Sequence, residues 1–164
     1  MAAMRIAVLS LAIALAACST ADAPPGRSDF VLVDKSDRTL TLFRNGTVLK
    51  TYTGLQFGAA PAGHKQFEGD EKTPEGRYTI DTRNPDSAYH LSLRISYPNE
   101  ADRAFAAARG RDPGGEIFIH GQPNALPVGR LPGDWTDGCI ALSNAEIEEL
   151  WGAVADGTPI EIRL

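Results

Sequence analysis

Cys139 and His120 are the two side chains in this sequence best suited to covalent chemistry. Cys139 lies in Thr136-Asp137-Gly138-Cys139-Ile140, and His120 ends the apolar run Ile117-Phe118-Ile119-His120 before Gly121. A thiol and an imidazole held on a rigid scaffold are the minimum for nucleophilic acyl transfer by cysteine. Gly138 lets the backbone bend beside the thiol and lets a substrate approach closely. A lone cysteine can also pack as a small hydrophobe, and a histidine at a strand end can be a satisfied rim residue. The glycine neighbour and the loop setting favour the chemical reading. His64, in a charged loop, and His90, beside Tyr89, are weaker candidates.

Other chemistries find less support. The three histidines and the cysteines show no HxH, HExxH or CxxC spacing, so no metal site is expected. No GxSxG elbow marks a serine hydrolase. The full sequence carries a net charge of −5 and no long basic run, which argues against nucleic-acid binding.

The only other cysteine, Cys18, follows a leader-like start. Arg5 precedes an apolar stretch over residues 6–17, too short for a membrane-spanning helix, which needs roughly 20 apolar residues. Leu15-Ala16-Ala17-Cys18 looks like a lipobox, with Cys18 as the lipid attachment point. Ser19 then favours sorting to the outer membrane, and the small, proline-bearing stretch to residue 28 suits a tether. The expected organisation is a signal peptide over 1–17, a lipidated cysteine and tether over 18–28, and one domain over 29–164. That places the protein on the periplasmic side of a bacterial membrane, with Cys139 as its single free thiol in a compartment that favours disulfides.

The elements that must position Cys139 and His120 are mostly strands. Residues 30–33 and 39–43 read as a hairpin around Asp34-Lys35-Ser36-Asp37. Asn45-Gly46 turns the chain into a third strand over 47–53. Residues 77–81, 90–96, 116–120 and 159–164 read as further strands. Pro98-Asn99 introduces an alanine-rich helix to about Ala108. Ser143-Asn144-Ala145-Glu146 is a capping box for a second helix, ended by Gly157. Two long connections, 54–76 and 121–135, are functional candidates by length. The sum is mainly β with two short helices, a twisted sandwich or open barrel. The second helix would bring its positive N-terminus near Cys139 and, with a protonated imidazole, lower the thiol pKa.

His120-Gly121, followed 18 residues later by Cys139 within Thr136-Asp137-Gly138-Cys139-Ile140, resembles the L,D-transpeptidase catalytic domain (YkuD-like). Lys72-Thr73-Pro74-Glu75-Gly76-Arg77-Tyr78 is similar to the family's Lys-x-Thr-Pro-x-Gly-x-Tyr segment, and the opening hairpins fit its first strands. The resemblance covers about residues 29–164. It implies an enzyme acting on peptidoglycan stem peptides, with no metal or organic cofactor. Cys139 would be the nucleophile and His120 the base, oriented by a backbone carbonyl. Amides around Gly138 and Cys139 would form the oxyanion hole. Thr136 would fix the loop, and Asn144 would hold the segment after the cysteine or simply cap the helix. The acyl acceptor would be an amine, in a 3–3 crosslink or an attached lipoprotein. Water in its place would make the protein an L,D-carboxypeptidase or amidase hydrolysing stem-peptide or lipoprotein linkages, and an inactive wall-binding lipoprotein is the non-enzymatic alternative. Carbapenems acylate this class of cysteine. Two departures from the family pattern, Asp137 for histidine and Ala141 for arginine, mark a divergent subgroup. Asp137 is expected to face solvent or a substrate amine.

Overall fold

Alternation of apolar and polar residues builds the first three strands. The computed structural model describes residues 27–126 and 128–164, so the leader, Cys18 and most of the tether lie outside the described residues. β1 (Phe30–Asp34) and β2 (Thr39–Arg44) pair antiparallel, setting Val31 against Leu42 and Val33 against Leu40. All four side chains are fully buried. Asn45 and Gly46 both take positive φ, the backbone shape of a tight hairpin turn. They lead into β3 (Thr47–Thr53), antiparallel to β2.

β4 (Gly76–Asn84), β5 (Ser92–Ile95) and β6 (Phe118–His120) form an antiparallel run. A two-residue strand, β7 (Ile140–Ala141), pairs parallel to β6. The closing strand β8 (Thr158–Arg163) runs between β1, to which it is parallel, and β4, to which it is antiparallel. The sheet order is β3-β2-β1-β8-β4-β5-β6-β7. The chain leaving edge strand β3 reaches the opposite edge, where Gln56 bridges Ala141 and Gly58 bridges Thr136. One eight-stranded sheet is therefore curled into an open half-barrel, rather than two sheets stacked as a sandwich.

Two helices accompany it. α1 (Glu100–Ala107) is capped by Asn99 and Asp102 in a reciprocal box. α2 (Asn144–Ala153) is capped likewise by Ser143 and Glu146, and buries Ile147, Leu150 and Ala153 in the core with Leu93, Ile119 and Leu142. β5 is shorter than the 90–96 expected. His90 takes a positive φ, which breaks the strand before Ser92.

Candidate active site

Neighbouring strands bring the two candidate groups together. β6 ends on His120, and Cys139 stands one residue before β7 in the parallel register Ile119 to Ile140. Both line a cavity of about 570 Å³, together with Tyr89, Trp135, Thr136 and Asp137. Both also line an adjoining cavity of about 340 Å³.

His120 is 3% exposed. Its Nδ1–H donates to the Gly121 carbonyl at 2.7 Å, which leaves the Nε2 lone pair free to accept a proton. Tyr89 stacks against the imidazole at 4.7 Å between ring centroids, and Trp135 meets it edge-on at 5.6 Å. Burial lowers the imidazole pKa against the opposing pull of the Gly121 carbonyl. Gly121 is closely packed. A Cβ there would meet Asn144 Oδ1 at 2.7 Å. That oxygen accepts the Gln122 N–H at 2.8 Å, so Asn144 braces the segment after the histidine, not the one after the cysteine. Trp135 is placed by its neighbour. Asp134 pairs with Arg38 through two hydrogen bonds of 2.8 and 2.7 Å and accepts the Phe57 N–H at 2.9 Å.

The cysteine loop is held from three sides. The Thr136 hydroxyl donates to the Cys139 carbonyl at 2.8 Å and accepts the Gly138 N–H at 3.3 Å. The Thr73 hydroxyl donates to the Gly138 carbonyl at 2.9 Å. The thiol accepts the Phe118 N–H at 3.4 Å and donates to the Glu116 carbonyl at 3.5 Å. Glu116 takes a positive φ to present that carbonyl.

The expected lowering of the thiol pKa is overturned. Burial pushes it up to about 11, with further upward push from Asp137 and Glu116 against the Phe118 amide and Lys65. The helix dipole does not rescue it, because Ser143 and Glu146 occupy the N-terminus of α2 and Arg130 pairs with Glu146. The burial that lowers the His120 pKa also disfavours an imidazolium partner. The resting pair is a neutral thiol beside a neutral imidazole. Alkylation of Cys139 by iodoacetamide should therefore climb about tenfold per pH unit through the alkaline range, because only the thiolate reacts. Any step needing neutral His120 should persist as pH falls, until below the ordinary imidazole range. A pH–rate series checks both; an alkylation plateau by about pH 8 would contradict the neutral thiol.

Asp137 is exposed and lines the larger cavity with Glu68, Glu71 and Glu116. Lys65, also on this wall, is already paired to Asp70 at 2.9 Å. The lining is therefore acidic. His64 and His90 stand outside both cavities. His64 Nδ1 accepts the Glu75 N–H at 2.9 Å while Nε2 meets Asp102, and half-buried His90 pairs with Glu148. Among the described residues no group of three His, Cys, Asp or Glu side chains is placed to hold a metal. Tyr89, Trp135 and Glu116 are site residues that sequence reasoning missed. None stands in a motif, and only the fold brings them to the thiol.

Residues 28–162 match the family model of the YkuD L,D-transpeptidase catalytic domain. YafK of Escherichia coli (strain K12) is 29% identical, over 82% of this chain and 52% of its own length. The helical cell shape determining protein Pgp2 from Campylobacter jejuni is 32% identical, with a TM-score of 0.65, over 82% of this chain and 46% of that one. Bd1075 of Bdellovibrio bacteriovorus is also 32% identical, with a TM-score of 0.57, over 84% of this chain and 48% of its own. The chain thus spans about half the length of each of these relatives. Since the matched region holds all eight strands but for the last residue of β8, and both helices, the chain belongs to the L,D-transpeptidase catalytic domain family.

Proposed function

We propose that this domain is a cysteine acyltransferase of the bacterial cell wall. Cys139 takes the acyl group of a peptidoglycan stem tetrapeptide as a thioester and passes it to an amine. The observation that carries this reading is that Cys139 and His120 line two adjoining cavities, which gives an acyl donor and an acceptor separate room at one thiol.

In the first step Sγ attacks the carbonyl between the L-centre and the terminal D-residue, and the thiol proton passes to His120 Nε2. The C–N bond then breaks, and the leaving D-alanine amine takes that proton. The Cys139 N–H, which has no acceptor among the described residues, receives the negative charge that develops on the carbonyl oxygen, and the Gly138 N–H, held at rest by the Thr136 hydroxyl at 3.3 Å, would have to turn from it to join. In the second step His120 takes a proton from the incoming amine, the new C–N bond forms, and the C–S bond breaks to restore the thiol. The acidic wall formed by Glu68, Glu71, Glu116 and Asp137 suits a substrate that carries an ammonium, such as a stem-peptide diamino acid. The acceptor is a second stem peptide or an amine-bearing lipoprotein.

Water is the competing acceptor, because Tyr89 is 40% exposed over the imidazole and leaves the site open to solvent. Incubation with tetrapeptide muropeptides and mass analysis separates the outcomes. A 3–3 dimer supports transfer. Free tripeptide alone makes the protein an L,D-carboxypeptidase, and unchanged tetrapeptide overturns both readings.

We further propose that the protein acts from the periplasmic side of the membrane, anchored by lipid on Cys18 and sorted to the outer membrane by Ser19. Acyl chains contribute roughly 0.8 kcal/mol per buried methylene, so several chains on one cysteine hold firmly. Radiolabelled palmitate should enter the wild-type protein and not Cys18→Ala; equal labelling would refute the anchor.

A further inference from the structure

We infer that Thr73 is a positioning residue that aims the Cys139 amide at the developing oxyanion, acting through the Gly138 carbonyl. The inference rests on the acyl-transfer reading above. Thr73 is fully buried, and its hydroxyl donates to the Gly138 carbonyl at 2.9 Å. In a trans peptide unit the carbonyl and the following N–H point in opposite directions. Holding the Gly138 carbonyl against Thr73 therefore fixes where the Cys139 N–H points, away from the packed interior. Among the described residues no acceptor pairs with that N–H.

Thr73 is itself tied down. The buried Lys35 ammonium donates to the Thr73 carbonyl at 3.2 Å and to the Gly63 carbonyl at 2.7 Å, and it pairs with Glu75 at 2.8 Å. The next carbonyl along, that of Cys139, is held by Thr136. Both peptide units around the thiol are thus restrained, and the Cys139 N–H is left without a partner. Gly138, at φ +118, needs such a restraint, since a glycine lets the peptide rotate without steric penalty.

Two reactions of one thiol separate aim from general integrity. With a carbapenem, Sγ bonds to the lactam carbonyl, the C–N bond opens, the nitrogen takes a proton, and the oxygen passes through an oxyanion. With iodoacetamide, Sγ bonds to carbon and iodide leaves, with no oxyanion. Thr73→Val should slow carbapenem acylation on the order of 100-fold, the size of effect seen when an oxyanion donor is lost, and leave alkylation within about twofold. Thr73→Ser should restore acylation to within about threefold of wild type. Intact-mass kinetics read both reactions. Should Thr73→Val not fold, Thr73→Ala is read by the same criteria. An equal fall in the two reactions would reduce Thr73 to a structural role, and unchanged acylation would also overturn the inference. Wild type that alkylates but never acylates would instead refute the acyl-transfer reading, and this inference with it.

Discussion

Cys139→Ser is expected to cut turnover of tetrapeptide muropeptides at least about a thousandfold, with the fold intact. A serine hydroxyl is far harder to ionise than a thiol. The one imidazole available is neutral, buried, and oriented by the Gly121 carbonyl rather than by a carboxylate. Among the described residues no acidic third member pairs with it to strengthen it as a base. The substituted oxygen can keep the polar partners that the sulfur has, the Phe118 N–H and the Glu116 carbonyl. Loss of activity should therefore come without loss of structure. Product mass after incubation measures the first, and thermal unfolding the second. Serine turning over at a rate near wild type would remove Cys139 from the chemistry.

Gly138→Ala is expected to damage both fold and activity. At φ +118 an L side chain is strained wherever it points. Here its Cβ would also stand 2.5 Å from the Lys72 carbonyl oxygen and 3.4 Å from Ile117 Cδ1. The Lys72 oxygen is backbone, next to Thr73, so it cannot swing aside as a flexible side chain would. Backbone strain of this kind costs on the order of 1–3 kcal/mol, and relieving the clash costs more. A total of about 3 kcal/mol is a large share of a domain's stability and would lower Tm by roughly 10 °C. Relief would come by rotating the peptide that carries the Cys139 N–H, so residual acylation should fall on the order of a hundredfold or more. Melting followed by circular dichroism, with carbapenem adduct formation on the folded fraction, checks both effects. A variant that melts and acylates like wild type would show that the loop tolerates a side chain there.

The parts of this molecule readable in the sequence are those governed by nearby residues. Val31 and Val33 alternate with half-exposed neighbours, and Leu40 and Leu42 repeat the pattern, so the first hairpin follows from a period of two. Asn45-Gly46 specifies its own turn. Ser143 and Glu146 close their capping box within one helical turn. β7 escapes such reasoning because two residues carry no periodicity. The central place of β8 escapes it because pairing with β1 joins residues far apart along the chain. The direction of the thiol pKa lies beyond local reasoning for a related reason. A helix start near Cys139 could be inferred locally, but whether its N–H groups faced the thiol or their own cap could not.

The sequence by itself determined that the chain is mainly β with two capped helices, that it carries one cysteine and one histidine in a motif similar to the L,D-transpeptidase pattern, and that its connections at 54–76 and 121–135 are long. Those properties follow from residue type and short-range spacing. Only the tertiary structure decided what surrounds the thiol. Tyr89 and Trp135 enclose the imidazole, Thr73 reaches the Gly138 carbonyl from 65 residues away, and Glu116 turns its carbonyl toward the sulfur. These contacts arise because the curled sheet brings distant segments to one edge, where burial shifts the pKa values of the thiol and the imidazole.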